Sequence, residues 1–319
     1  MEREKTSMPS LEEISAIQNN IVRYQANAAQ NEFIQNISIS NDIIKVILDH
    51  HSSYPFRKIN LTCRSVQARS VFLEILRTIG FSQIIGDVVR EIIKVGEVIL
   101  IFEGKLGVPK FLDPNDIWIS AIPGDYGTEE HIEYQLDEEI KRLVLTTPPS
   151  ERQSLLKVLD PYSIRQIEIG RPLDLTRSPY IKAMHLKRTN ESNSIRGVSY
   201  FSPIMQKLME SEETKNGIKT NKIGDIANAV RKIKDIDRFV FEYAFPNNYK
   251  ILEEEFQKLQ DIIKDFLINK IFTNIASARD LVDGDGLILP VLQFENINLD
   301  TDPSYKQNVE SIRENLLKS

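Results

Sequence analysis

The 319-residue chain carries four histidines and one cysteine, so side chains able to act as nucleophiles, bases or metal ligands are few. The most suggestive grouping is His185 followed by Gly197-Val198-Ser199. Glycine beside serine, with a histidine upstream, is the raw material of a hydrolase, in which the imidazole takes the hydroxyl proton as the oxygen attacks. A nucleophile elbow also needs a glycine two positions beyond the serine, and that position is Phe201. The broken spacing argues against the elbow, and His185 reads as a hydrogen-bonding residue at a strand end. His50 and His51 are adjacent, which places them on different faces of a helix, with no nearby cysteine or third histidine in register for zinc. Asp283-Gly284-Asp285-Gly286 resembles a calcium loop, but aligning it on Gly286 puts Leu281 and Leu292 at the first and twelfth ligand positions. A hairpin turn is the expectation there. No Gly-x-x-x-x-Gly-Lys-Ser/Thr run exists to cradle a phosphate. The expectation is a protein without catalytic chemistry, metal or cofactor.

Those residues are positioned by elements that the pattern of apolar side chains outlines. Val66–Ile79 and Phe81–Val95 read as amphipathic helices, the second with Ile84, Ile85, Val88, Val89, Ile92 and Ile93 on one face. Gly96 ends that helix, and Val98–Phe102 is an apolar strand turned by Gly104–Gly107 into Val108–Leu112. After the Asp113-Pro114 corner come strand-like pieces at 117–122, 132–136, 143–146, 164–169 and 180–186. Helices followed by a mainly antiparallel sheet make the fold class α+β. Ser202 suits a helix N-cap and Pro203 a first helical position, from which one long helix is expected to about Ile233. Residues 210–222 of it hold a single strongly apolar side chain, Ile218, which fits either a solvated linker or a helix supported by copies of itself. Arg238–Phe245 alternates as a strand does. Leu252, Phe256, Leu259, Ile263 and Phe266 then step at helical spacing, with Glu254, Lys258, Asp261 and Asp265 opposite. Leu287–Leu292 is the next expected strand, and Asp302-Pro303 repeats the capped, proline-started device. Ser10-Leu11-Glu12-Glu13 has the spacing of a capping box, so residues 1–50 read as a helical arm, either a mobile terminus or a lever against a neighbouring subunit.

Composition narrows the function classes. Lys plus Arg number 40 against 46 Asp plus Glu, a net charge of −6, which does not suit a protein that grips phosphates tightly. A single cysteine, Cys63, precludes an internal disulfide and fits a reducing compartment. The charged start Met1-Glu2-Arg3-Glu4-Lys5 lacks a signal peptide's apolar core, and no run reaches the length of a membrane span, so a soluble intracellular protein is expected.

Val95-Gly96-Glu97-Val98-Ile99-Leu100 after a helix, a hairpin, and then Leu112-Asp113-Pro114 resemble the wing of tailed-bacteriophage portal proteins. A second corner, Leu159-Asp160-Pro161, is similar, and His185 with Arg196, Gly197, Ser199 and Pro203 resembles that family's passage from wing to stem. The resemblance spans residues 55–319 and implies an arm at 1–50, a wing at 51–200, a first stem helix at 201–235, a clip at 236–299 and the start of a second stem helix at 300–319. It further implies a homo-oligomeric ring of about twelve copies at a capsid vertex. Double-stranded DNA would pass through without sequence specificity, with the major capsid protein, the terminase large subunit and a neck adaptor as partners. The location would be the virion, and the host cytoplasm during assembly. Glu210, Glu213, Lys215, Lys219 and Lys222 become tunnel or inter-subunit residues, and Glu254, Lys258, Asp261 and Asp265 the clip surface facing terminase and adaptor. From the residues alone, Gly197 is expected to permit a left-handed or tight turn, Ser199 to bond local backbone, and Arg196 to meet a carboxylate across a junction. The family's C-terminal kinked helix, tunnel loop and crown have no counterpart before Ser319. The alternative is an intracellular α+β scaffold or adaptor binding protein partners through the 249–272 helix.

Overall fold

The computed structural model describes residues 23–78, 80–103, 109–124, 127–148, 151, 160–176, 181–189, 194–217, 223–284 and 286–318. The capping box at Ser10–Glu13, the 104–107 turn, Lys219 and Lys222 lie outside these residues. Along the chain, β1 (Arg23–Gln25) precedes α1 (Ala28–Ser40) and α2 (Asp42–Ser53). A 3-10 turn at Tyr54–Phe56 leads to β2 (Ile59–Thr62), α3 (Val66–Thr78) and α4 (Phe81–Val95). Next are β3 (Glu97–Glu103), β4 (Lys110–Leu112), β5 (Ile117–Gly124), β6 (Gly127–Tyr134), α5 (Glu138–Thr146), α6 (Pro161–Glu168), β7 (Leu173–Asp174) and β8 (Ile181–Lys187). The remainder comprises α7 (Met205–Gly217), α8 (Ile223–Ala244), α9 (Tyr249–Phe266), a π-helical stretch at Leu267–Phe272 and α10 (Thr273–Ala278). The short hairpin β9 (Val282–Asp283) and β10 (Gly286–Leu287), β11 (Val291–Phe294) and α11 (Pro303–Lys318) complete it.

The fold is α+β, in two compact units: Met1–Ala26 with Leu112–Ala183, and Asn27–Phe111 with Met184–Ser319. The smaller unit is built on a four-stranded antiparallel sheet in the order β1-β5-β6-β7, with Trp118 opposite Glu133 and Gln25. Val144, Ile164 and Ile167 from α5 and α6 form a small core of their own. These two helices correct the strands expected at 143–146 and 164–169. Local capping outweighs β-prone side chains: Asp137 accepts from Glu139 N, while Asp160 accepts from Ser163 N ahead of Pro161 at the first helical position.

The larger unit holds the main core, in which α4 contributes Ile85, Val88, Val89, Ile92 and Ile93 and α9 contributes Leu252, Phe256, Leu259, Ile263 and Phe266. Ile34, Ile37, Ile43, Ile44, Ile47 and Leu48 join that core, so α1 and α2, within the stretch expected as an arm, each lay one face on it. Two further expectations are overturned. Arg238–Phe245 is the end of α8, because Val240, Phe241, Ala244 and Phe245 are buried at helical rather than alternating spacing. The long helix from Pro203 is not continuous either. Lys215 and Glu212 of α7 act electrostatically on Asp237 of α8, whereas one straight helix would hold residues 215 and 237 about 33 Å apart. The chain therefore folds back, and α7 and α8 pair as a helical hairpin. Ser202, expected as an N-cap, sits in a 3-10 turn with its hydroxyl accepting from Gln30 Nε2 at 2.9 Å.

The strand expected at Leu287–Leu292 begins later, as β11, and finds its partner in β2, a strand not foreseen. Val291 lies opposite Thr62 and Phe294 opposite Ile59. Neither boundary expected for the stretch 236–299 coincides with a boundary between the units, since its helices and β11 share one core with residues 34–102. Leu292, 1 % exposed, carries that sharing. Leu292→Ala should cost about 2–5 kcal/mol. It should lower protection in α2, α4 and α9 together; hydrogen exchange that weakens only 249–299 would show instead a lobe that folds by itself.

Candidate functional site

The residues singled out around His185 do converge, and what gathers them is Glu97, a carboxylate in an otherwise apolar stretch. Its side chain is 3 % exposed. Arg196 Nη2 pairs with Oε1, His185 Nε2 lies 2.9 Å from Oε2, and Gly197 N donates to the same oxygen at 3.0 Å. With Nε2 facing a carboxylate, that nitrogen carries the proton and His185 donates. Burial works against the ionised carboxylate, but the His185 hydrogen bond, the Arg196 charge and the Gly197 amide outweigh it, leaving the Glu97 carboxyl below its usual range.

Backbone chemistry explains why these groups meet at the end of α4. A helix leaves its last four carbonyls without intrahelical partners. Here the segment after β8 supplies them: Tyr200 N donates to Ile93 O at 3.0 Å, Ser199 Oγ to Lys94 O at 2.6 Å, and Arg188 N to Gly96 O at 2.7 Å. Ser199 Oγ also accepts from Phe201 N at 3.1 Å, so its hydroxyl is spent on backbone and is not aimed at His185. Gly96 has φ +93°, where a side chain is strained, and a Cβ there would sit 2.3 Å from the Val198 carbonyl carbon. Gly197 is needed for another reason than the one expected. Its φ is not left-handed; a Cβ would fall 2.1 Å from Gly96 O. The two glycines let two backbone segments cross in near contact.

Arg188 extends the junction to α9. Its Nε and Nη2 donate to Glu255 Oε2 at 2.9 and 2.6 Å, Nη1 to Val198 O at 3.0 Å, and its guanidinium lies 5.5 Å from the Tyr200 ring centre. Burial disfavours the Glu255 carboxylate, yet bonds from Lys258 and Arg188 bring it below the usual range. Sequence reasoning missed Glu97, Arg188 and Glu255 as members. The one signal for Glu97 was its place as a lone acid directly before an apolar run. Arg196 does meet a carboxylate, within its own unit.

The remaining candidates are not brought to this junction. Pro203 lies in the 3-10 turn that starts the hairpin. On α7, Glu213 is exposed and Glu210 pairs with Lys207 at 3.3 Å. Lys215 is bonded to Glu212 at 2.8 Å. Glu254, Lys258, Asp261 and Asp265 are exposed on the outer face of α9, with Lys258 bonded to Glu255 at 2.9 Å. Instead of facing apart, His50 and His51 turn into one aromatic cluster, ring centres 5.6 Å apart. Among the described residues no three His, Cys, Asp or Glu side chains are grouped to hold a metal ion, and no helix is long and apolar enough to cross a membrane. No known family model matches the chain, and no curated protein sequence matches it significantly.

The arrangement joins β3, the end of α4, the middle of α9 and the segment leading into the hairpin by buried charge. Removing the anion strands Arg196, so Glu97→Gln should destabilise the larger unit by about 3–5 kcal/mol in urea titrations. Because the folded carboxyl is shifted down, its contribution is complete above the unfolded value near 4.5 and vanishes as pH falls through the lower folded value. The wild type should therefore lose its advantage over Glu97→Gln in acid. An advantage unchanged down to pH 2 would rule out this assignment.

Proposed function

We propose that this chain is a portal-like subunit, one copy of a ring-shaped channel through which double-stranded DNA enters and leaves a capsid. The observation that carries the reading is the first half of α8. Ile226 and Val230 stand exposed one turn apart, and of residues 225–235 only Ala229 and Ile233 are even partly covered. A helix with so little beneath it is marginal in water unless something packs along it. Further copies of the chain, arranged in a ring, supply that support.

Other features agree with the same assignment. The weld at Glu97 fixes the start of the helical hairpin to the β3–β8 sheet, as a lever that bears load must be fixed. The proline-started α11 lies along the end of α8, lining a cleft with Arg238, Phe241, Lys306, Val309 and Arg313. A net charge of −6 on each copy favours passage of DNA over capture. Under this reading Glu210, Glu213 and Lys215 lie at the tunnel wall or between neighbours. The exposed face of α9, with Glu254, Lys258, Asp261 and Asp265, is offered to the terminase or neck adaptor. The major capsid protein surrounds the ring.

Light scattering on a sizing column, with class-averaged electron micrographs of the same peak, tests the proposal. A closed ring with a central hole is the expected result, and Val230→Asp should shift it toward smaller species. A monomer or dimer at micromolar concentration would replace the proposal with the scaffold or adaptor alternative.

A further inference from the structure

Helix α11 is attached almost entirely by its first turn. Tyr305 is fully buried, Val309 and Ile312 are partly covered, and its other described side chains from Pro303 to Asn315 are exposed. The Tyr305 ring meets His50 at 5.4 Å, Tyr54 at 5.0 Å and Tyr249 at 5.8 Å, all edge-on. His50 stacks on Tyr54 at 5.4 Å and 10° and meets Phe245 edge-on at 5.2 Å. Inside this cage both ring nitrogens of His50, and the hydroxyl of Tyr305, are buried without a hydrogen-bond partner.

We propose that His50 and Tyr305 form a proton-operated latch: neutral His50 keeps the first turn of α11 seated, and protonation of His50 unseats it. A neutral imidazole among these rings leaves one donor and one acceptor unpaired, a smaller cost than burying the cation. An imidazolium carries two donors and a charge, and among the described residues neither ring nitrogen has a hydrogen-bond partner while both are closed off from solvent. Water reaches the ring most cheaply by lifting Tyr305, because α11 has the least buried surface of the elements around His50.

Among the described residues the neighbouring carboxylates are already committed to other cations, so none is left to hold the latch shut. On α2, His51 lies edge-on and Asp49 is exposed and paired with Arg90. Arg57 stands 4.4 Å over the Tyr54 ring, a further positive charge. Phe245 at the end of α8 is uncharged, and α9 presents Tyr249 and Phe256. From α11, Lys306 lies 5.5 Å over Tyr249. Asp302 accepts from Tyr54 at 2.6 Å and pairs with Arg57 at 2.7 Å, and Glu295 is shared by Arg57 and Lys58. The Ser304 hydroxyl, then Tyr54 and Arg57, hold Asp302 far below the ordinary carboxylate range, so it stays anionic and committed while His50 titrates.

Burial pulls the His50 imidazole from 6.5 down to about 4. The seated state is therefore favoured in full above pH 6.5 and progressively less as pH falls toward 4.

Hydrogen exchange read by mass spectrometry, with rates corrected to the intrinsic value at each pH, tests the latch. Between pH 7.5 and 5.0, amides at 306–312 should lose protection by roughly 10- to 30-fold, while those of α4 keep theirs. His50→Phe should abolish that response, and Tyr305→Leu should expose the same amides already at pH 7.5. The proposal fails if His50→Phe responds like the wild type, or if α4 loses protection in step with α11. It fails equally if Tyr305→Leu leaves 306–312 protected at neutral pH, a reading that decides the matter even where His50→Phe does not fold.

Discussion

A carboxylate taken out of water is the constraint on which the larger unit depends. Glu97 would not ionise in an apolar strand by itself, since an isolated buried charge costs far more than a fold of this size can spare. It is tolerable only because Arg196, His185 and the Gly197 amide reach it together. These three lie 88 to 100 residues further along the chain, so folding cannot bury β3 without recruiting the segment that follows β8. An apolar residue at 97 would pack with less risk, but it would leave the passage into the hairpin without a single required geometry.

The same passage resolves a second difficulty, the unpaired carbonyls at the end of α4. Tyr200, Ser199 and Arg188 satisfy Ile93, Lys94 and Gly96 while Glu97 satisfies residues 196 and 197, so each side completes the other. Close crossing makes this possible, and close crossing is why glycine stands at both 96 and 197. Side chains that look like a hydrolase in sequence thus do structural work. Ser199 caps, His185 bridges, and Arg196 neutralises.

From this fixed point the helices become progressively less committed. Near the junction α7 and α8 bury Leu208, Ser211, Val240 and Phe241, whereas the distal part of α8 exposes Ile226 and Val230. Helix α11 buries Tyr305 against the ring of His50, whose nitrogens have no hydrogen-bond partner among the described residues. The larger unit therefore has a buried, charge-paired centre and two helical stretches, the first half of α8 and most of α11, that keep little of their own surface covered.

Much was legible without coordinates. The apolar periodicity of 81–95 and 249–266, the glycine stop at 96, the pairing of β3 with β4 in one sheet, and the Asp302-Pro303 start all rest on local rules that tertiary packing had no cause to override. Arg238–Phe245 failed because aromatic and β-branched side chains fit a strand and a buried helix end equally well, and only the packing partners choose. Residues 143–146 and 164–169 failed for the opposite reason, since Asp137 and Asp160 set helices that the apolar runs concealed. By itself the chain determined the buried faces of α4 and α9, the stop at Gly96 and the start at Asp302-Pro303. Which cation answers Glu97, that α8 folds back on α7, and that β11 pairs with β2 were decided only in three dimensions, because each depends on residues that are distant in sequence and meet only once the core has formed.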